Sequence, residues 1–387
     1  MPSFPRFRFG LFIVVGCLAV TCTSSSRDAG SSAQNATQAS GPDHYLLLVN
    51  TAIAFQMTDA KFRQFDKSAY DGISVAFLHA YDPSPSPSVP SMDAQLAQWK
   101  GSTGKDIWPW VYVNRMIGKN PKEQNSHSDI PYFQSIRGAD FNDAHGAQSD
   151  FLQIWRNSLA AARDSKMPGV FVDLEFYNNY AAYDVGELAR QTGTKPADVT
   201  TSLQKVGRRM ADIASQEYPT ATLWFAFMGL THPTYKTHDG VPYYPSPSYI
   251  SMGLLDEMVE KGMRMRVLAG GEGSIAYCHD TLQSFQDAIR QRESDMKAPL
   301  DKYKSVPLEL AGTMTLWSDN AVNKVCPSST AGSVEDLQPY IELMMKSYRY
   351  DWIWASSGEG NYNAFAPDSA PRFDAVIRRA KAAAYAQ

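Results

Sequence analysis

The chain has 387 residues, of which 44% are hydrophobic and 20% are charged, and this balance excludes a disordered chain and a fibrous repeat. Its formal net charge at pH 7 is -4, so no excess of basic residues indicates a nucleic-acid partner. Four cysteines are too few for a disulfide scaffold, and their spacing does not match a zinc site. The length allows one large domain or two of ordinary size.

The N-terminal segment has the composition of a secretory signal. Arg6 and Arg8 precede an apolar run over residues 9–20, which is too short to span a bilayer comfortably. In a bacterial lipoprotein signal, Cys17 or Cys22 would carry the lipid, and the alternative is ordinary cleavage without a lipid. We therefore expect an exported protein, periplasmic or at the cell surface, whose membrane attachment is this N-terminal lipid.

Composition divides the chain into three segments. Residues 1–22 are the expected signal peptide. Residues 23–43 are rich in Ser, Ala, Gly and Gln, which predicts a flexible tether because such a segment buries little apolar surface. Residues 44–387 alternate between short apolar runs and longer amphipathic stretches, and they are predicted to form one catalytic domain.

Eight short apolar runs in the third segment have the composition of parallel strands buried on both faces. The predicted strands are Tyr45–Phe55, Gly72–Tyr81, Ile107–Met116, Gly169–Tyr177, Leu223–Leu230, Met263–Gly270, Leu308–Trp317 and Tyr350–Ala355. A helical pattern follows each of them along the chain. This eightfold alternation predicts a single-domain (β/α)8 barrel, also called a TIM barrel, and a doubly wound open sheet is the alternative.

Polar and aromatic residues follow most of the predicted strands. In a (β/α)8 barrel the catalytic groups lie at the C-terminal ends of the strands and in the loops that follow. The residues expected there to bind substrate are His79, Asn114, Tyr177, Tyr277, Trp317, Asp319, Trp354 and Glu359. Trp317 and Trp354 are the candidates to stack on a sugar ring, and the alternative is that they are core aromatics. Carboxylates and aromatic rings on one rim are typical of a site that cleaves carbohydrates.

The segment Gly169–Glu175, with sequence GVFVDLE, ends in two acidic residues. Side chains alternate along a strand, so Asp173 and Glu175 are expected on the same side. Two carboxylates this close do not both ionise freely, so one pKa is expected to rise, as a general acid requires. Glu175 is the predicted acid, and Asp173 is its partner, which holds a substrate group or tunes Glu175. The alternative is two unrelated carboxylates, one paired and one solvated.

Three residues of this segment resemble a motif of a known family. Gly169, Asp173 and Glu175 match the end of the D-G-x-D-x-D-x-E motif of chitinase-like (family 18) glycoside hydrolases, while Pro168 and Phe171 stand where its first two acids would be. The resemblance covers one strand and implies a (β/α)8 barrel. It implies that Glu175 is the acid and that Asp173 orients a substrate acetamido group, which itself attacks the anomeric carbon. It supports a sugar-cleaving barrel more than it supports an N-acetyl substrate.

Glu272 is the predicted second catalytic carboxylate. It lies in the run AGGEG after the sixth predicted strand, where glycines are expected to bring the backbone close to a ligand. Asp319 and Glu359 are further candidates for this role. The alternative for Glu272 is a solvated turn residue.

Metal and cofactor motifs are missing from the sequence. No H-x-H follows the first strand and no H-E-x-x-H occurs, so neither a metal nor a cofactor is expected. His79, His232 and His279 together with Glu272 nevertheless leave a metal-dependent hydrolase as an alternative.

Two of the four cysteines are predicted to form a disulfide. Cys278 follows the sixth predicted strand and Cys326 follows the seventh, and these strands are neighbours in a barrel. Disulfides persist in exported proteins, which favours a Cys278–Cys326 bridge over two buried free thiols.

These features predict an exported glycoside hydrolase that acts on a polysaccharide or glycoconjugate by carboxylate acid/base catalysis. Its expected partner is the carbohydrate substrate alone. Two alternatives stay open, a non-catalytic carbohydrate-binding barrel at the cell surface and a metal-dependent hydrolase on the same fold.

Overall fold

The computed structural model describes residues 44–53, 57–78, 86–113, 147–176, 180–230, 235–236, 242–276, 279, 281–315, 334–355, 365 and 370–386. The predicted signal peptide, the predicted tether and the predicted Cys278–Cys326 bridge lie outside these residues. No helix of the described ranges is long and apolar enough to cross a membrane.

Eight parallel strands in the described part of the chain close into a barrel. They are β1 (Tyr45–Ile53), β2 (Gly72–Ala76), β3 (Asp106–Tyr112), β4 (Gly169–Asp173), β5 (Thr222–Phe225), β6 (Arg266–Ala269), β7 (Leu308–Thr315) and β8 (Tyr350–Ala355). Each strand pairs with its neighbours in chain order, and β1 pairs with β8. The predicted (β/α)8 barrel is confirmed, and the open sheet is wrong because the first and last strands are hydrogen-bonded to each other.

Helices connect the strands on the outside of the barrel. They are α1 (Asp59–Asp66), α2 (Val89–Lys100), α3 (Ala147–Asp164), α4 (Val185–Thr192), α5 (Pro196–Glu217), α6 (Ser246–Lys261), α7 (Glu272–Ile275), α8 (Leu282–Lys302), α9 (Gln338–Ser347) and α10 (Ala370–Tyr385). A 3-10 turn, Tyr180–Tyr183, precedes α4. Two further strands of two residues each, Tyr235–Lys236 and Pro242–Tyr243, form an antiparallel pair. Thr58, Ser88, Asp184 and Thr281 cap helices with their side-chain oxygens.

Aromatic side chains fill the inside of the barrel. Phe171 of β4 packs against Trp352 of β8, on the opposite side of the barrel, with ring centroids 5.6 Å apart. Trp108 of β3 similarly packs edge-on against Trp224 of β5 at 5.4 Å. The buried interior cluster also contains Tyr45, Trp110, Tyr112 and Tyr350. The interior is therefore a packed core rather than a pore, and a substrate can approach the barrel axis only from an end.

Hydrogen bonds link side chains of β1 and β3 at the N-terminal end of the barrel. The Tyr45 hydroxyl donates to Asp106 at 3.0 Å, and the Trp108 indole donates to the Tyr45 oxygen at 2.9 Å. These contacts hold the first residues of β1 and β3 together. In (β/α)8 barrels the functional site lies at the opposite end, where the strands have their C-termini.

Gly169 lets β4 approach β5 closely. A Cβ atom at this position would lie 1.9 Å from the backbone oxygen of Thr222. We expect Gly169→Ala to lower the free energy of unfolding by about 1–3 kcal/mol, because the strands must separate to admit the methyl group. Urea unfolding measures the loss, and Gly104→Ala is the control, since its Cβ would meet its nearest neighbour, an oxygen of Asp66, at 3.6 Å. Equal losses in the two variants would contradict the expectation.

Candidate functional site

Asp173 lies at the C-terminal mouth of the barrel. It is the last residue of β4 and comes two residues after Phe171, so its side chain is on the interior face. It pairs in register with Tyr112, the last residue of β3, whose ring stacks on Trp110 with centroids 4.7 Å apart. Asp173 is 1% exposed. The barrel therefore places one buried carboxylate directly above its aromatic core.

The chain after β4 presents Glu175 on the same side as Asp173. The ladder ends at Asp173, four residues earlier than the predicted strand, and the Asp173 carboxylate accepts a hydrogen bond from the Glu175 amide at 2.9 Å. A hydrogen bond from a backbone amide to the side chain of an Asp two residues earlier forms an Asx turn. The Asp173 carboxylate thus takes the place of a neighbouring strand as the partner of the Glu175 amide. Leu174 and Phe176 are fully buried in the core under the helices, and Glu175 between them is partly exposed. The side-chain alternation expected from the sequence thus continues past the end of the strand.

Glu272 lies in the connection that follows β6. It is the first residue of α7, and its amide donates to the oxygen of Ala226, just after β5, at 3.2 Å. The amide of Gly270 donates to the oxygen of Phe225 at 2.7 Å, and a Cβ at Gly270 would lie 2.3 Å from that oxygen. Gly270 therefore brings the backbone close to β5. The Glu272 side chain is partly exposed.

Burial and the negative charges of the three predicted catalytic carboxylates raise the pKa of one tyrosine, Tyr183. Burial raises the pKa of Tyr183 well above its usual range, and three nearby negative charges raise it further. In decreasing order of effect, these charges are on Glu175, Asp173 and Glu272. Because such effects weaken with distance, each of the three charges lies within electrostatic range of Tyr183. We call these three residues, which lie at the ends of β4 and β6, the carboxylate cluster: Asp173, Glu175 and Glu272.

Tyr183 is a member of the site that the sequence did not indicate. It ends the 3-10 turn after β4, and its oxygen accepts a hydrogen bond from the Phe176 amide at 3.2 Å. A short turn of this kind has no hydrophobic period that would place its side chains. The available signal was its position alone, in the connection after the strand that carries two acids.

Among the residues predicted to bind substrate, Trp354 is described. It lies in β8 two residues after Trp352, is partly exposed, and packs against the aromatic core of the barrel. It therefore stands at the rim of that core. The others lie outside the described residues: His79, Asn114, Tyr177, Tyr277, Trp317, Asp319 and Glu359.

No metal site is found within the described ranges. No three His, Cys, Asp or Glu side chains in them are placed to hold one ion. His279, which the metal-dependent alternative invoked, contacts the backbone oxygen of Ile275 through Nε2 at 3.1 Å, and its ring packs near Phe285. His79 and His232 lie outside the described residues.

Comparison with known proteins gives likeness of fold alone. No protein-family model matches the sequence, and no curated protein is similar to it, so membership of family 18 is not shown. Endo-glycoceramidase II from Rhodococcus sp. is 11% identical with a TM-score of 0.48, covering 86% of this chain and 78% of that chain. A GH18 chitinase from Flavobacterium johnsoniae is 10% identical with a TM-score of 0.40, covering 87% and 94%. A sugar phosphate isomerase/epimerase from Parabacteroides distasonis is 9% identical with a TM-score of 0.41, covering 87% and 96%.

Proposed function

We propose that the barrel is a glycoside hydrolase and that its chemistry is performed by the carboxylate cluster. The observation that carries the proposal is the position of the buried Asp173 at the C-terminal end of β4, joined to the partly exposed Glu175 by a hydrogen bond, with Glu272 just after β6. Glycoside cleavage uses two carboxyl groups, one that protonates the leaving oxygen and one that acts on the anomeric carbon directly or through water. Here the two groups come from the connections that follow β4 and β6.

The surroundings of each carboxylate suit a different role. Glu175 is partly exposed between two buried residues, so its carboxyl can reach a bound substrate and serve as the general acid. Asp173 is buried and holds the Glu175 amide, so it acts as the partner that orients the acid. Glu272 lies in the connection that follows β6 and is the proposed second carboxylate, which acts on the anomeric carbon.

The proposed site also needs a surface on which a sugar ring can stack. Trp354, partly exposed at the rim, is the proposed platform for a sugar ring.

Export and lipid attachment belong to the same proposal. The N-terminal segment and the tether would place the barrel outside the cytoplasm, where polysaccharides and glycoconjugates occur. The proposed Cys278–Cys326 bridge would be stable there.

The test is a hydrolysis screen of the full chain. The purified protein is incubated with a panel of polysaccharides and glycoconjugates, with and without a metal chelator, and mass spectrometry detects released products. We expect the release of oligosaccharides or monosaccharides. We expect the chelator to leave this activity unchanged, because both proposed catalytic groups are carboxyl groups. Binding without any cleavage would favour the carbohydrate-binding barrel. Activity that is lost to the chelator and restored by a divalent ion would favour the metal-dependent hydrolase.

A further inference from the structure

Tyr183 is held rigidly in the connection after β4. Its backbone oxygen accepts a hydrogen bond from the Ser246 hydroxyl, at the start of α6, at 3.2 Å. Its ring packs on Phe176 with centroids 5.3 Å apart. The next residue, Asp184, caps α4 by accepting from the Glu187 amide at 3.0 Å. The position of the Tyr183 hydroxyl is therefore fixed by contacts with two helices and with the chain after β4.

Two side chains hold the backbone on either side of Glu175. The amide of Glu175 donates to Asp173 at 2.9 Å, and the amide of the next residue, Phe176, donates to the Tyr183 hydroxyl at 3.2 Å. Both bonds lie beyond the last residue of the β4 ladder. The peptide units that set the direction of the Glu175 side chain are thus held by Asp173 and Tyr183.

We propose that Tyr183 is a positioning residue for Glu175: its hydroxyl oxygen accepts the hydrogen bond of the Phe176 amide and so holds the backbone next to the proposed acid. A tyrosine hydroxyl can accept such a bond on its oxygen. The effect on turnover rests on the proposed glycoside hydrolase function, whereas the effect on the backbone does not.

The proposed role matters because Glu175 lies outside the ladder. A displacement of about 1 Å at a reacting group costs about 10²-fold in rate, and strand pairing that would prevent it ends at Asp173. Loss of the hydroxyl frees the Phe176 amide, and it should therefore lower the rate of the chemical step.

The variant that tests the contact is Tyr183→Phe, which keeps the ring against Phe176 and removes the oxygen. The matched control is Tyr218→Phe, because the Tyr218 hydroxyl donates to the backbone oxygen of Met167 at 2.8 Å, before β4 rather than after it. Amide hydrogen exchange is measured residue by residue in the full chain. We expect the Phe176 amide to exchange about fivefold to tenfold faster in Tyr183→Phe, which corresponds to the loss of one hydrogen bond. We expect no change at Phe176 in Tyr218→Phe.

Kinetics on a cleaved glycan give the second measurement. Tyr183→Phe should lower kcat by about 10- to 100-fold, with KM changed by less than about threefold, because positioning acts on the chemical step. Tyr218→Phe should leave kcat and KM unchanged. Unchanged exchange at Phe176 overturns the proposal whether or not a glycan is cleaved. Faster exchange with unchanged kcat overturns it as well. If the wild type cleaves no glycan, the proposed function fails, and the exchange result alone then decides whether Tyr183 holds the segment.

Discussion

Glu175→Gln is expected to lower the turnover of a cleaved glycan by about 10²- to 10⁴-fold, the contribution of a positioned general acid. Glutamine has the same shape as glutamate and keeps the backbone amide that Asp173 holds, but it has no proton to give to a leaving oxygen. The free energy of unfolding should change little, because the side chain is partly exposed. The measurements are kcat on the natural linkage and urea unfolding on the same preparation.

A substrate with a good leaving group separates acid catalysis from other roles of Glu175. The nitrophenolate group of a nitrophenyl glycoside can leave without being protonated. Glu175→Gln should therefore lose much less activity on this substrate than on the natural linkage. The matched control is Glu342→Gln on α9, which removes a partly exposed acid whose described partner is Lys346 on the same helix. That control should keep full activity on both substrates. Equal losses of Glu175→Gln on both substrates, or unchanged turnover of the natural linkage, would reject the assignment of the acid.

The order of strands and helices could be predicted from the sequence because parallel strands buried on both faces give runs such as Gly169–Asp173. The same alternation placed Glu175 beside Asp173, even though the ladder ends at Asp173. The end of a strand is set by a competing hydrogen bond, here from the Glu175 amide to a side chain. Sequence composition carries no signal for that competition.

The contacts around the predicted carboxylates could not be predicted. Glu175 and Glu272 are far apart in the sequence, and the pairing of β5 with both β4 and β6 makes the connections that carry them neighbours in the barrel. The glycine run AGGEG predicts a close approach to a ligand, and it carries no signal that the small size of Gly270 is needed where β6 meets β5. The sequence likewise does not distinguish a sugar-stacking ring from a ring of the barrel core such as Trp224.

An acid inside the apolar strand β8 is the least expected feature of the fold. Asp351 is 1% exposed, and it alternates with Trp352, which faces the barrel interior, so its carboxyl lies on the outer side of β8 under the helices. Within the described residues, neither carboxyl oxygen has a hydrogen-bond partner. Gly312 of the adjacent β7 makes room for it, because a Cβ there would lie 2.0 Å from one of these oxygens.

The stability of the fold is expected to depend on pH through Asp351. Burial raises the pKa of Asp351 well above its usual range, and the charges of Arg292 and Lys381 offset part of this effect. The folded state therefore binds the proton more tightly than the unfolded state does. The contribution is fully present below the ordinary pKa of an aspartate. It is lost as the pH rises from there toward the folded-state pKa, by about 1.4 kcal/mol for each pH unit.

Asp351→Asn should remove this part of the pH dependence, because an amide of the same shape has no proton to lose. The variant should gain stability relative to wild type at each step of rising pH above that ordinary pKa, by up to about 1.4 kcal/mol per unit. Any cost of burying the amide is the same at every pH, so the slope against pH, measured by urea unfolding from pH 4 to pH 8, isolates ionisation. The control is Asp301→Asn at an exposed site on α8, which should keep the wild-type slope. A wild-type slope in Asp351→Asn would show that the unfavourable ionisation of the buried acid is compensated within the fold.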